Sequence, residues 1–350
     1  MFNRSAFRLS LLFDPLLLSQ DLLLINDNEW ISHYNNKEYE GDWAILPLRS
    51  VGGHPMVIHA VPGARQDSFY KNTPILERTT YFKEVISKFE CNIGSARLMR
   101  LGPGAKIHEH SDFMGADVNK EIRIHIPVKT NEEVLFMVNH ELFVMDPGEV
   151  WYADFELPHS VINNGNSDRI HLVIDCDSNK WMMEMIEKSC LISSITTFLN
   201  QIGISTSFKI LQEETFLPGI DIQSGTIVID PQRLVYPGDI LHEAGHIAVT
   251  LPEERHLLHG NVNENDKNAM GQEIATILWS YAALLKLNLS PEVVFHSGGY
   301  KGHSEWFIEN FQNKNYIGLP LLEWMGFCLS PEKAKENGTN PFPDMLRWLR

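Results

Sequence analysis

The stretch IHEHSDF at 107–113 places His108, His110 and Asp112 in one short run, and on an extended backbone all three share a face. An HxD pair joined by one later histidine is a ligand set for non-haem Fe(II). Two imidazoles and a carboxylate then hold one triangular face of the ion and leave three positions open. The candidate for the later histidine is His159, in LPHSVINNGNSDRIHLVID. NNGN is a hairpin-turn signal, so 159–163 and 168–175 are expected to run antiparallel and to fold Arg169 back beside His159 about Gly165. A buried arginine is costly unless it meets an anion, so Arg169 requires either an anionic ligand or an acidic partner within the sheet.

The phrase around Arg169 occurs twice, as RIHIPV at 123–128 and RIHLVI at 169–174. Strand periodicity puts Arg123 and His125 on one side and Ile122, Ile124 and Ile126 on the other. In the same way Arg169 and His171 oppose Ile170, Leu172 and Ile174. A second metal-type pattern stands further on. GDILHEAGHIAVTL carries His242, Glu243 and His246 as HExxH inside an apolar-periodic helix. Histidines at i and i+4 share a helix face and can grip one ion, while the glutamate between them can polarise a water. Glu273, on the following helical stretch, is the candidate third ligand, with His256, His259, His296 and His303 as alternatives.

The elements that must position these residues follow from the pattern. Between about 93 and 176, short alternating runs such as SARLMRL, EIRIHIPV, EVLFMVN, HELFVMD, EVWYAD and HSVINN are separated by turn signals, which predicts a double-sheeted β-sandwich or barrel. Helices are expected near 14–25 and 82–90, with turn-rich text at VGGHP and VPGAR between them. After Asp177 the grammar turns helical: NKWMMEMIEKS, ISSITTFLNQIG (ending at Gly203), 239–250, 267–287 and 304–312, with strands at FKIL and GTIVID. The fold class is therefore α+β: a β domain over 1–178, its core at about 93–176, and a mainly helical domain over 190–350. Aromatic and polar residues ahead of the sandwich, Trp43 and Arg49 among them, are candidates for substrate contacts.

Composition narrows the partners. A net charge of −16 argues against nucleic acid or anionic membrane. Asp14 and Pro15 interrupt the N-terminal apolar run, which argues against a signal peptide, and no stretch has the length of a membrane span. Four widely spaced cysteines without CxxC fit a cytoplasmic, reduced protein.

The stretch RLMRLGPGAKIHEHSD … EIRIHIPVKTN … MDPGEVWYADFELPHSVINNGNSDRIHLVIDC resembles the aspartyl/asparaginyl β-hydroxylase family. The resemblance implies a double-stranded β-helix (cupin or jelly-roll) fold and an Fe(II)- and 2-oxoglutarate-dependent oxygenase using O₂. It implies that His110, Asp112 and His159 are the iron ligands and that Arg169 binds the distal carboxylate of 2-oxoglutarate. Arg123 and His125 would lie near the cosubstrate's other end. The expected function is hydroxylation of an aspartyl or asparaginyl side chain, a free amino acid or a peptide-like substrate. The HExxH segment is similar to the motif of Glu-type zincin metallopeptidases, which implies Zn(II) on His242, His246 and Glu273, with Glu243 as general base. Two other readings follow from the same residues: a zinc metallopeptidase with the β domain as a binding module, and a non-catalytic cupin that senses a small anion.

Overall fold

The computed structural model describes residues 5–56, 69–112, 121–260 and 269–350. VPGAR at 61–65 lies outside them, as do the first two residues of the helix expected over 267–287. The chain divides into two units, Met1–Cys190 and Leu191–Arg350.

The first unit contains strands β1 (Ala6–Leu12), β2 (Ile31–Ser32), β3 (Tyr39–Glu40), β4 (Trp43–Val51), β5 (Tyr70–Asn72), β6 (Ile93–Leu101), β7 (Lys106–His110), β8 (Glu121–Lys129), β9 (Val134–Val138), β10 (Glu141–Phe143), β11 (Glu149–Ala153), β12 (His159–Asn163) and β13 (Arg169–Asp177). Helices α1 (Pro15–Leu22), α2 (Pro74–Arg78) and α3 (Thr80–Ser87) precede β6, and α4 (Lys180–Gln201) follows β13. One sheet has the order β1-β11-β8-β13-β6-β4-β2, with β5 beside β4; the other has the order β10-β9-β12-β7-β3. All of these pairings are antiparallel. This is a jelly-roll-like β-sandwich, the cupin-type fold expected from the sequence.

The alternation in β8 and β13 sorts their side chains between two environments. Ile122, Ile124, Ile126, Ile170, Leu172 and Ile174 share a core with Leu18, Phe82, Val85, Met182 and Ile186, so the apolar face is covered by helices. Arg123, His125 and Arg169 face the other way, into a cavity of about 260 Å³. A slip of one residue would exchange the two sets, so the register is strongly specified.

One local expectation is met and another is corrected. Asp14 and Pro15 interrupt the apolar run and start the helix expected near 14–25, observed over Pro15–Leu22. The Asp14 carboxylate accepts the Leu16 and Leu17 N–H groups, and Pro15 takes the first turn, where its missing N–H costs nothing. The NNGN turn does not close a hairpin: β12 pairs with β7 and β9, whereas β13 pairs with β6 and β8 in the other sheet. The chain changes sheets at this corner because Asn163 anchors it. The Asn163 amide donates to the carbonyls of Leu101, Gly102 and Ser167, and its Oδ1 accepts the Gly165 N–H at 3.2 Å. A Cβ at Gly165 would fall 2.2 Å from Asn131 Oδ1, so the corner is packed against neighbouring chain rather than open to solvent.

In the second unit β14 (Thr206–Phe208), β15 (Ile220–Gln223) and β16 (Thr226–Ile229) form a sheet of order β14-β16-β15. The strand expected at FKIL thus ends at Phe208. Helices α5 (Asp239–Val249), α6 (Ala269–Lys286), α7 (Ser304–Gln312), α8 (Leu319–Trp324) and α9 (Pro331–Asn337) make up most of the rest. The two helical segments read between 179 and 203 are one continuous helix, α4. Its early residues Met182 and Ile186 join the first core, and its later residues Ile195 and Leu199 join the second. Among the described residues, no helix is long and apolar enough to cross a membrane.

Candidate active site

The pairing of β7 with β12 sets His110 directly opposite His159, with ring centroids 4.2 Å apart. Asp112 follows the end of β7, where its N–H donates to the Phe155 carbonyl at 2.8 Å. Its Oδ1 lies 3.7 Å from His110 Nε2. One ligand atom from each of His110, Asp112 and His159 lies within 4.8 Å of the others. Both rings are oriented the same way. His110 Nδ1 is 2.8 Å from the His108 carbonyl, and His159 Nδ1 is 3.0 Å from the Leu157 carbonyl. A carbonyl only accepts, so each Nδ1 carries the proton and each Nε2 keeps a lone pair for a metal. Burial lowers the His159 pKa below its ordinary value, which favours the neutral, ligating form.

Arg169 reaches the same cavity from the opposite sheet. It is 2% exposed, yet among the described residues no carboxylate pairs with it. Nη2 donates to His171 Nδ1 at 2.9 Å, the guanidinium lies 5.5 Å from the centre of the Phe136 ring, and Nε has no hydrogen-bond partner. Burial lowers the Arg169 pKa to about 9. His125 is also buried and held neutral, first by desolvation and then by Arg169 and Arg123. Its Nε2 has no partner either, and neither has Trp43 Nε1. Among the described residues, three buried donor or acceptor atoms around one cavity are thus without a hydrogen-bond partner.

Arg123 is not a free cation. It bridges two carboxylates, Asp112 through Nη1 and Asp175 through Nε at 2.8 Å. Asp175 sits directly across from Arg123 in the β13–β8 pairing and also accepts from Arg97 at 2.6 Å and from Ser95 at 2.8 Å. Burial alone would push the Asp175 carboxyl up, but Arg123 and Arg97 outweigh it and hold it well below the usual carboxylate range. The Arg97–Asp175–Arg123 chain thus ends on Asp112 and fixes that carboxylate within the triad.

Two similarities outside this molecule bear on the arrangement. Residues 18–179 match the family described as aspartyl/asparaginyl beta-hydroxylase. The match lies within the N-terminal unit and spans most of it. The L-proline cis-4-hydroxylase of Rhizobium meliloti (strain 1021) is 28% identical over 172 residues, covering 47% of this chain and 58% of that protein. The chain thus spans little more than half the length of that relative. Similar solved structures include a Pseudomonas putida prolyl-4-hydroxylase, 10% identical with TM-score 0.34 over 51% of this chain and 94% of that one. A viral collagen prolyl hydroxylase from Paramecium Bursaria Chlorella virus-1 is 10% identical, with TM-score 0.31 over 51% and 98%.

Within the N-terminal unit, the sequence-derived residues His110, Asp112, His159, Arg123, His125 and Arg169 all line one cavity. His159 and Arg169 meet from two sheets, not as neighbours on one hairpin. His108 does not join them; its Nε2 faces Glu40 at 3.4 Å. Of the two proposed substrate contacts, Trp43 lines the cavity and stacks on His33 at 3.6 Å. Arg49 does not, being bonded to the Ile93 carbonyl and Asn72. The sequence reading missed Arg97 and Asp175, and within the aromatic and polar stretch 29–50 offered for substrate contacts it did not single out His33, Tyr34 and Glu38. Asp175 was within reach of the period-two argument, since it continues the Arg169–His171–Val173 face. His33, Tyr34 and Glu38 precede β4 in irregular chain and carry no such periodic signal.

Outside the family match, His242 and His246 on α5 meet Glu273 on α6, again with one ligand atom from each within 4.8 Å of the others. Glu243 is buried; desolvation, reinforced by Asp239 and Glu273, pushes its pKa up to about 8. Of the alternative third ligands, His296 bonds Asp239 at 2.8 Å, and neither it nor His256, His259 or His303 enters the cluster.

Proposed function

We propose that the N-terminal unit is an Fe(II)- and 2-oxoglutarate-dependent dioxygenase that hydroxylates a free amino acid or a closely related small substrate. The observation that carries this reading is one cavity holding a two-histidine, one-carboxylate set and a buried arginine that has no acidic partner among the described residues. The donor set fits Fe(II), and Arg169, bonded to a neutral imidazole but to no carboxylate among the described residues, fits the distal carboxylate of 2-oxoglutarate. A module that only sensed an anion would have no use for a metal face left open on one side. When bound, iron and cosubstrate supply the oxidising chemistry: with O₂, 2-oxoglutarate yields succinate and CO₂, and one oxygen atom enters a substrate C–H bond.

The chain's own residues have simpler tasks. His110, Asp112 and His159 would hold the metal, with His108 and Leu157 carbonyls fixing the rings. Arg169 would orient the cosubstrate, and His171, which is uncharged, accepts from Arg169 without competing for its charge. Arg123 holds Asp112 in place. On the remaining wall, the Trp43, His33 and Tyr34 rings offer flat apolar contact, and Glu38 offers a carboxylate for a substrate ammonium group. The similarity to an L-proline hydroxylase makes proline the first substrate to try, with aspartate, asparagine and short peptides containing them next. A mass-spectrometric screen of these compounds with Fe(II), ascorbate and 2-oxoglutarate should yield a product heavier by one oxygen atom. A folded, iron-loaded protein that turns over none of them and binds no 2-oxoglutarate would refute the proposal.

A further inference from the structure

The second histidine cluster lies in residues that the hydroxylase match does not reach, and its construction can be traced from the sequence upward. His242 and His246 stand one turn apart on α5, which places both imidazoles on one face. Gly245 allows α6 to approach that helix closely: a Cβ there would lie 2.8 Å from Thr276 Cγ2 and 3.1 Å from the Thr276 carbonyl oxygen. The approach brings Glu273 and Thr276, three residues apart and so on one face of α6, against the histidines. His246 Nε2 lies 3.2 Å from His242 Nε2 and 3.4 Å from Glu273 Oε2, and His242 Nε2 lies 3.6 Å from Glu273 Oε1.

The outer ring nitrogens are also occupied. His246 Nδ1 meets Thr276 Oγ1 at 3.4 Å, and His242 Nδ1 meets the Tyr300 hydroxyl at 3.2 Å. A hydroxyl that accepts from Nδ1 fixes the tautomer whose Nε2 lone pair points inward, as metal-ligating histidines require. Tyr300 reaches this position from a left-handed backbone, φ 52°, which a bulky residue adopts only where its surroundings enforce it. Among the described residues no fourth ligand joins the three. Structural zinc sites close with four protein ligands, whereas three leave a position for an exchangeable molecule. Glu243, adjacent to His242 in the chain, is buried within electrostatic reach of Glu273.

We propose that His242, His246 and Glu273 bind a zinc ion with one exchangeable coordination position, making the second unit an independent, catalytic-type metal centre. The proposal does not rest on the oxygenase reading. It is tested on the full chain carrying His110→Ala and His159→Ala, which silences the first site. After zinc loading and dialysis, elemental analysis should find about one zinc per chain. Adding His246→Ala should abolish retention, and adding Glu273→Gln should weaken it. The Glu273 side chain is one-third exposed, so the glutamine variant keeps the test valid if the alanine variant does not fold. Cobalt(II) in place of zinc should give the intense visible bands of a four- or five-coordinate site, and acetohydroxamate should shift them. No retained zinc in the folded double variant, or retention unaffected by both further substitutions, overturns the site. Cobalt bands that ignore acetohydroxamate overturn the open position.

Discussion

Replacing Arg169 by methionine separates what an arginine does for a fold from what it does for a ligand. The side chain is 2% exposed and has no carboxylate partner among the described residues. Because burial lowers its pKa from 12.5 to about 9, keeping it charged costs the ligand-free protein roughly 5 kcal/mol at neutral pH. For a cation whose folded pKa lies below the unfolded one, that cost is present at every pH below about 9 and fades as pH rises toward 12.5. Methionine removes the charge and keeps an apolar stem. Against this gain stand the bond to His171, about 1–3 kcal/mol if Nδ1 is left unpaired, and the contact with Phe136, about 0.5–2 kcal/mol. The balance predicts a ligand-free variant no less stable than wild type.

The ligand response should be opposite. Wild-type protein with Fe(II), kept anaerobic, should gain about 2.7 kcal/mol at a 2-oxoglutarate concentration of 100 times Kd. The variant should gain nothing at that concentration, because losing a buried arginine–carboxylate pair costs about 3–5 kcal/mol, or on the order of a hundred- to several-thousand-fold in affinity. Calorimetric melts with and without 2-oxoglutarate read both effects. A variant that melts far below wild type without ligand would mean that the fold needs this cation. A wild-type-like shift on adding 2-oxoglutarate would remove Arg169 from cosubstrate binding.

Three further outcomes are expected. Asp175→Asn should cost about 3–5 kcal/mol in urea unfolding at neutral pH, since Arg97 and Arg123 lose their shared counter-ion. A depressed carboxylate pKa contributes stability that is complete above the unfolded value, about 3.9, and is lost as pH falls below it; wild type should therefore lose more stability than Asp175→Asn between pH 4 and 2. In the second unit Gly245→Ala should destabilise by about 1–3 kcal/mol through the clash with Thr276, whereas Gly271→Ala, with none of the described residues within 4 Å of its Cβ, should be neutral or stabilising by up to about 1 kcal/mol in thermal melts. Glu38→Gln should raise KM for an amino-acid substrate several-fold with kcat nearly unchanged; an equal fall in kcat with KM unchanged would place Glu38 elsewhere in the cycle.

Local periodicity carried most of what could be read from the sequence. The repeated RIH phrase announced two strands with a polar inner face, and both strands are central in the large sheet with the isoleucines turned to the helices. The spacing of HExxH likewise sufficed to pair His242 with His246. Long-range pairing was less legible. NNGN has the composition of a two-strand turn, and only Asn163, reaching the carbonyls of Leu101 and Gly102, reveals that the chain crosses between sheets there. Asp112 was read as a ligand alone, yet its fixed position depends on Arg123, Asp175 and Arg97, which lie on three other strands. No spacing in the sequence encodes that relay. His33, Tyr34 and Glu38 lie in a stretch legible as a source of substrate contacts but were not singled out within it, because non-periodic chain gives no sign of which side faces a cavity.

The most direct test of the oxygenase assignment is succinate formation from 2-oxoglutarate by the full chain with Fe(II), O₂ and the amino-acid panel. Succinate should accumulate with wild-type protein in step with a product heavier by one oxygen atom. It should be absent from folded His110→Ala, Asp112→Ala and His159→Ala variants, while His246→Ala leaves it unchanged. Equal succinate from wild type and the three triad variants, or none from an iron-loaded wild type that binds 2-oxoglutarate and proline together, would contradict the account.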